Sequence, residues 1–195
     1  ERKDLQLEGG KQDQYAATFG GVNFMEFHEG GKVIVNPLRI RDEYMHELEN
    51  NLVLYYTSTS RESAAIIKEQ VSNVNKKDEK SIEAMHQLKE QAKMMKEALL
   101  RGKLDQVGEI LDYGFRQKRL MAHNISNNSI EEIYDAAKKA GATGGKISGA
   151  GGGGFMIFYC PRNTRYGVIN TLNKFGGGVK NYSFTGYGLS TWTIQ

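Results

Sequence analysis

The sequence lacks the cysteine pairs, the long apolar segments and the strong net charge that would indicate a secreted, membrane or nucleic-acid-binding protein. It has 195 residues and a single cysteine, Cys160, so no internal disulfide can form. No apolar run approaches the roughly 18 residues that a transmembrane helix needs. The net charge is only +3, with acidic and basic residues interleaved, which gives no argument for nucleic acid. We therefore predict a cytoplasmic protein with neither a membrane nor a nucleic-acid partner.

The composition is otherwise that of a globular protein, with 39% hydrophobic and 25% charged residues. The sequence starts at Glu1 without an initiator methionine, and a Gly-Gly pair follows within ten residues. We expect the chain to be a piece of a longer protein whose upstream part contributes to function.

Hydrophobic periodicity predicts a mixed fold of the α+β class. Apolar residues at helical spacing fill the region from about 60 to 141 and indicate a block of four helices. Ser129 and Glu132 have the spacing of a capping box at the last of these helices. Elsewhere the pattern predicts helices over 11–19 and 41–50, a helix ending at Phe175, and strands over 22–28, 33–38, 52–57, 155–160, 179–184 and 189–194.

The most unusual stretch is KISGAGGGGFMIFYC, residues 146–160. Glycine loses more backbone entropy on folding than any other residue, so four in a row need a compensating gain. Successive N–H groups in a tight turn can converge on an anion, and the missing Cβ atoms let a phosphate approach. The alternative is that the glycines only make room for packing. A strand follows the loop and none is predicted before it, which argues against a Rossmann fingerprint.

Two motifs at opposite ends of the chain resemble those of the GHMP kinases. K-x-S-G-A-G, beginning at Lys146, is similar to the third motif of that family, and G-x-x-D-Q, ending at Gln14, is similar to the segment that carries its catalytic aspartate. The resemblance implies ATP-dependent phosphoryl transfer, with Asp13 as the catalytic residue. It also implies a phosphate-contacting loop made of Ser148, Gly149, Ala150, Gly151, Gly152 and Gly153.

Within that family, YYTSTSRESAAIIKEQ and QKRL look most like the sugar kinases acting on D-glycero-D-manno-heptose 7-phosphate. The resemblance implies a ferredoxin-like sheet with a helical block, and a boundary between an N-terminal domain remnant, 1–40, and a C-terminal domain, 41–195. The family's nucleotide loop, P-x-x-x-G-L-x-S-S-A, does not occur here. We therefore expect the Mg²⁺ ligands in the upstream half of the same protein.

Further residues are candidates for holding a sugar phosphate. Ser58, Ser60 and Arg61 precede a predicted helix, whose N-terminus favours anions, although Ser60 as a simple cap and Arg61 as a surface charge explain them equally well. Lys146 could reach an anion. Lys118 and Arg119 are interpreted as solvated surface charges, and the histidines show no metal-ligand spacing.

Two alternatives stay open at this point. The acceptor could be another sugar or a mevalonate-type alcohol, or the chain could be a non-catalytic binding or regulatory module with a ferredoxin-like sheet. A kinase needs a carboxylate near the glycine loop, whereas a binding module does not. We therefore predict that Asp13 and residues 149–153 line a single cleft.

Overall fold

The computed structural model describes residues 9–58 and 63–193. The chain begins with helix α1, Gln12–Phe19, followed by an antiparallel hairpin of β1, Asn23–Phe27, and β2, Val33–Pro37. Gly30 in the connecting turn has φ +74°, a left-handed conformation that a side chain would strain. This N-terminal unit agrees with the predicted helix and the two predicted strands.

A second sheet holds the rest of the molecule together. Helix α2, Asp42–Asn51, leads into its first strand. Among the described residues its strands follow the order β4-β5-β3-β6, with every neighbouring pair antiparallel. With helices between β3 and β4 and between β5 and β6, this is the split β-α-β arrangement of ferredoxin-like folds. The strands are β3, Leu52–Tyr56; β4, Gly144–Ile147; β5, Phe155–Tyr159; and β6, Gly178–Lys180.

The predicted helical block is present between β3 and β4. Its helices are α3, Ser63–Asn75; α4, Glu79–Leu100; α5, Asp105–Arg119; and α6, Asn128–Lys139; a further helix, α7, Thr164–Leu172, follows β5. The cap predicted for α6 is wrong. Asn127, not Ser129, is the N-cap, and its side chain accepts a hydrogen bond from the Ile130 N–H at 3.0 Å. No helix within the described residues is long and apolar enough to cross a membrane.

The main hydrophobic core lies against the four-stranded sheet. Tyr55 and Phe158 are completely buried, and helices α5, α6 and α7 contribute Phe115, Ile133 and Val168. A smaller cluster, which includes Leu48, Leu99, Leu104 and Tyr159, lies beneath α4 and α5. The α+β class, the helical block and the ferredoxin-like sheet are therefore confirmed, while the domain division at residue 40 stays a prediction.

Four details differ from the expectation. The strand predicted over 179–184 is only the short β6, Gly178–Lys180. Strand β4, whose sequence is GGKI, has no apolar alternation and was not predicted. Helix α7 ends at Leu172, three residues before Phe175. Residues 189–193 form no strand, and the Leu189 N–H donates to the Thr18 carbonyl at 3.0 Å.

Candidate functional site

The glycine stretch is the turn of a hairpin between β4 and β5. Ile147 is paired with Met156 at its base, and the Ser148 N–H donates to the Phe155 carbonyl at 2.8 Å. At the other side, Thr57 at the end of β3 donates from its N–H and its hydroxyl to the Gly154 carbonyl, at 2.9 and 3.0 Å. A strand does precede the loop, contrary to our expectation, but a strand also follows it, so the loop is still not a Rossmann fingerprint.

The backbone of this turn needs glycine for two different reasons. Gly149 has φ +69° with open space around it, so only its conformation excludes a side chain. Gly151 has φ +119°, and a Cβ there would lie 2.8 Å from the Ile125 carbonyl oxygen. The Gly152 N–H donates to that same carbonyl at 2.8 Å. Close packing on Ile125 therefore accounts for part of the glycine run, as the packing alternative predicted.

The remaining donors of the turn identify where an anion could bind. The N–H groups of Ser148 and Gly152 are used within the protein. Those of Gly149 and Ala150 donate to no acceptor in the described part of the chain, and Gly149 is exposed. Ala150 packs its methyl group against the main core, which orients its peptide. The N–H groups of Gly151, Gly153 and Gly154 likewise donate to no acceptor among the described residues, but Gly151 and Gly153 are buried. An anion from solvent would therefore first meet the exposed half of the turn at Gly149 and Ala150.

Asp13 lies in the first turn of α1 and is exposed. An acidic residue is favoured there by the positive end of the helix dipole. The carboxylate lines a cleft of about 460 Å³, bounded on one side by α1 and β1 and on the other by α4, Leu111 and Lys146. Another lysine of this cleft, Lys96, has its ammonium 4.4 Å from the centre of the Phe24 ring.

The structure brings Asp13 together with Lys146 rather than with the turn itself. Lys146 lies on β4, two residues before Ser148, where the turn begins, and it lines the same cleft as Asp13. Residues 149–153 are not part of that lining, so the prediction that they share one cleft with Asp13 is wrong. No ion pair joins these two described residues, so opposite charges face the cleft from separate elements. Burial lowers the pKa of Lys146.

The basic pair at the end of α5 is not simply solvated, and that interpretation is wrong. The Lys118 ammonium donates to the Gly149 carbonyl. Burial, and then repulsion from Lys146, lowers the pKa of Lys118 to about 8. Arg119 is ion-paired with Glu131 at 2.5 Å and covers the Phe115 ring at 4.6 Å. The sequence could not predict these contacts, because they depend on α5 lying alongside β4. No hydrophobic alternation indicates that strand.

The remaining predicted residues are only partly described. Ser58 follows β3, has φ +58°, and donates from its hydroxyl to the Gly176 carbonyl at 2.8 Å. It therefore neighbours the far end of the glycine turn through Thr57. Ser60 and Arg61 lie outside the described residues.

A feature that the sequence did not indicate is the attachment of α1 to residues 183–189. The Gly21 N–H donates to the Thr185 carbonyl at 2.9 Å. Gly20 and Gly188 are packed so closely that a Cβ on Gly20 would lie 2.3 Å from the Tyr187 carbonyl carbon, and one on Gly188 would lie 2.0 Å from the Thr18 carbonyl oxygen. This segment therefore positions the helix that carries Asp13.

Comparisons with known proteins show which family the chain resembles. Residues 95–178 match the family model of the GHMP kinases C-terminal domain. A D-glycero-alpha-D-manno-heptose 7-phosphate kinase from Campylobacter jejuni is 46% identical over 194 residues, covering 100% of this chain and 57% of that protein. The chain thus spans little more than half the length of this relative.

Solved structures give the same result. A D-glycero-D-manno-heptose 1-phosphate kinase from Bacteroides thetaiotaomicron superposes with a TM-score of 0.72 and 37% identity, over 100% of this chain and 52% of that one. The L. major mevalonate kinase in complex with R-mevalonate has a TM-score of 0.71 over 86% of this chain and 49% of that one. Its identity of 20% supports a shared fold alone.

Proposed function

We propose that the chain carries the C-terminal domain of a GHMP kinase, and that its protein transfers the γ-phosphoryl group of ATP to a hydroxyl of a sugar phosphate. The preferred acceptor in this proposal is D-glycero-D-manno-heptose 7-phosphate, because the relative that acts on it is 46% identical along the whole chain. A cytoplasmic location, and cooperation with an upstream half of the same protein, are parts of the same proposal.

The observation that carries the proposal is that Asp13 and Lys146 line one cleft, at the strand that leads into the glycine turn. In phosphoryl transfer the protein mainly positions the reactants and offsets charge. The Asp13 carboxylate would orient the acceptor hydroxyl and accept its proton as the oxygen attacks the γ-phosphorus. The bond from that phosphorus to the bridging oxygen breaks, and ADP leaves.

The opposite side of the cleft supplies positive charge. Lys146 would offset the negative charge of the phosphoryl oxygens, and the N–H groups of Gly149 and Ala150 would bind the phosphate region of ATP. Because these donors are held by the hairpin before substrate arrives, little reorganisation is needed during reaction.

The described residues do not form a magnesium site by themselves, and ligands for Mg²⁺ in the upstream half of the same protein are part of this proposal. The described part of the chain holds no group of three or more His, Cys, Asp or Glu side chains that could bind a metal ion. Mg²⁺ with ATP is expected for phosphoryl transfer, but these residues give it no ligand set, and the proton transfer to Asp13 does not depend on one.

The test is ADP release by the full-length protein, measured with a panel of sugar phosphates. We expect turnover with the heptose 7-phosphate, and a fall in kcat of about 10²- to 10⁴-fold in Asp13→Asn, because an amide cannot accept the hydroxyl proton. Asp42→Asn is the matched control, since Asp42 is also an exposed acid in the first turn of a helix. Full turnover in Asp13→Asn would remove Asp13 from the mechanism.

The same panel separates the alternatives. Turnover with R-mevalonate but with no sugar phosphate would identify a mevalonate-type kinase. Nucleotide binding without ADP release from any acceptor would favour a non-catalytic binding module instead.

A further inference from the structure

Helix α5 runs alongside strand β4 and ends at the glycine turn. The two elements touch at Gly108 and Gly144, where a Cβ on Gly144 would lie 1.8 Å from the Gly108 carbonyl oxygen. They touch again where Lys118 donates to the Gly149 carbonyl. The end of α5 is thereby fixed over the turn.

This arrangement brings two ammonium groups together at the start of the turn. Lys146 lies on the same face of β4 as Gly144, whose missing Cβ faces α5, and Lys118 comes from α5 and reaches the Gly149 carbonyl. Burial is the main cause that lowers the pKa of Lys118, and the charge of Lys146 adds to it. Within residues 9–58 and 63–193, neither is ion-paired with a carboxylate. The two arginines that neighbour Lys118 on α5 are ion-paired: Arg116 with Asp112 at 2.9 Å and Arg119 with Glu131 at 2.5 Å.

Two unpaired cations held together in a partly desolvated place lower stability unless an anion compensates them. Asp13, the acid in the same cleft, is not within ion-pair distance of Lys146. We propose that Lys118 and Lys146 form a binding site for a phosphate group at the entrance of the glycine turn. This inference deepens the proposed function and rests on it only for the identity of the phosphate-bearing molecule.

The geometry also explains why a lysine is suited to the end of α5. An ammonium group has three donors, so Lys118 can keep its bond to Gly149 and still donate to a phosphate oxygen. Lys118 thus positions the first half of the turn, whose N–H groups are unused, and contacts the same anion. Asp13 would repel the phosphate towards the lysines and leave its own side of the cleft to a hydroxyl.

The phosphate has two possible sources, the terminal phosphate of ATP and the phosphate ester of the sugar. Both are measured by titration calorimetry of the full-length protein, with a non-hydrolysable ATP analogue in one arm and the heptose 7-phosphate in the other. We expect Lys118→Met and Lys146→Met each to weaken binding about 10- to 100-fold in at least one arm, as for the loss of a charged hydrogen bond. The weakened arm identifies the source. Lys139→Met, an exposed lysine of α6, is the control and should bind as wild type.

A second readout separates ligand contact from a purely structural role. Since burial and Lys146 lower the pKa of Lys118 to about 8, phosphate binding at pH 8 should draw a proton into the site, seen as a dependence of the binding enthalpy on the buffer. Lys118→Arg should retain most of the affinity but lose this proton uptake, because arginine is always charged. Thermal unfolding without ligand should show both Met variants folded and no less stable, because a repulsion has been removed.

Affinities within twofold of wild type in both arms, for both Met variants, would overturn the inference even if turnover is intact. Conversely, lysine-dependent phosphate binding with no ADP release from any acceptor would retain this site and reject the proposed kinase activity. The two failures are therefore distinguishable.

Discussion

The two sides of the candidate cleft are built very differently. Lys146 belongs to a hairpin embedded in the main core, where Ile147, Met156 and Phe158 are completely buried. Asp13 belongs to a helix with no buried residue, packed on a hairpin of half-buried and exposed side chains. The proposed base therefore lies on the weakly packed side and the proposed anion site on the strongly packed side.

This difference indicates how the cleft keeps its geometry. Segments with few buried contacts open locally at a lower free energy than the core. The β4–β5 side is held by the global fold, whereas α1 depends on local attachments, above all the backbone contacts of Gly20 and Gly188. The position of Asp13 should thus be sensitive to changes that leave the stability of the sheet untouched.

The largest expected effect is on the free energy of unfolding. Phe158→Ala removes a completely buried ring and should destabilise the protein by about 3–5 kcal/mol. Phe27→Ala removes a ring that is 48% exposed and contacts Tyr15 edge-on, so the loss should be about 1 kcal/mol. Urea denaturation of both variants measures the difference. Equal losses would mean that the two sides are equally well packed.

A smaller effect, on activity, is expected at the attachment of α1. Gly188→Ala would place a Cβ 2.0 Å from the Thr18 carbonyl oxygen, so the end of α1 must move. A displacement of about 1 Å at a catalytic group costs on the order of 10²-fold in rate, so kcat should fall by about that factor. Gly186→Ala is the matched control, because a Cβ there meets nothing within 4 Å.

The measurements for Gly188→Ala are ADP release and the urea midpoint of the full-length protein. Activity should fall much more than the midpoint. A midpoint that falls in parallel with activity would show that α1 is part of the cooperative core.

The smallest expected effect is a pH dependence of the free energy of unfolding, caused by Lys118 on the strongly packed side. The pKa of Lys118 is about 8 in the folded protein and near its ordinary value of 10.5 in the unfolded chain. Between these values the unfolded chain binds more protons, so stability should rise as the pH increases through this window. The groups facing the ammonium are Lys146 from β4 and the Gly149 carbonyl; the neighbouring Arg119 is neutralised by Glu131.

Urea midpoints at pH 8 and pH 10, for wild type and Lys118→Met, measure this contribution. The wild type should gain stability relative to the variant as the pH rises. A constant difference between them would indicate that Lys118 has the same pKa in both states.

Strong local patterns predicted most of the elements. The helical stripe of α4 and the alternation in β1 each depend on residues close together in sequence, and both elements are present. Strand β4 was missed because Gly144 and Gly145 carry no side chain to make a pattern. Glycine is required at these two positions by tertiary packing. A Cβ on Gly144 would meet Gly108, and one on Gly145 would lie 2.6 Å from the Ile157 carbonyl oxygen.

The candidate site shows the same limit. Motif resemblance suggested Asp13, Lys146 and the glycine turn as candidates, because each belongs to a local string of residues. The general expectation that a lysine at a helix end is solvated assigned Lys118 to the surface. Its bond to Gly149, 31 positions away, exists only because α5 lies along β4.

The sequence by itself determined the α+β class, the helical block, and a side-chain-free turn beside a lysine, because these depend on spacing and residue type within short segments. Only the tertiary structure decided that Asp13 shares a cleft with Lys146, that Gly151 is packed on Ile125, and that Lys118 reaches the glycine turn. These are contacts between residues distant in sequence, and they are set by how the sheet orders its strands and by which helix covers each strand.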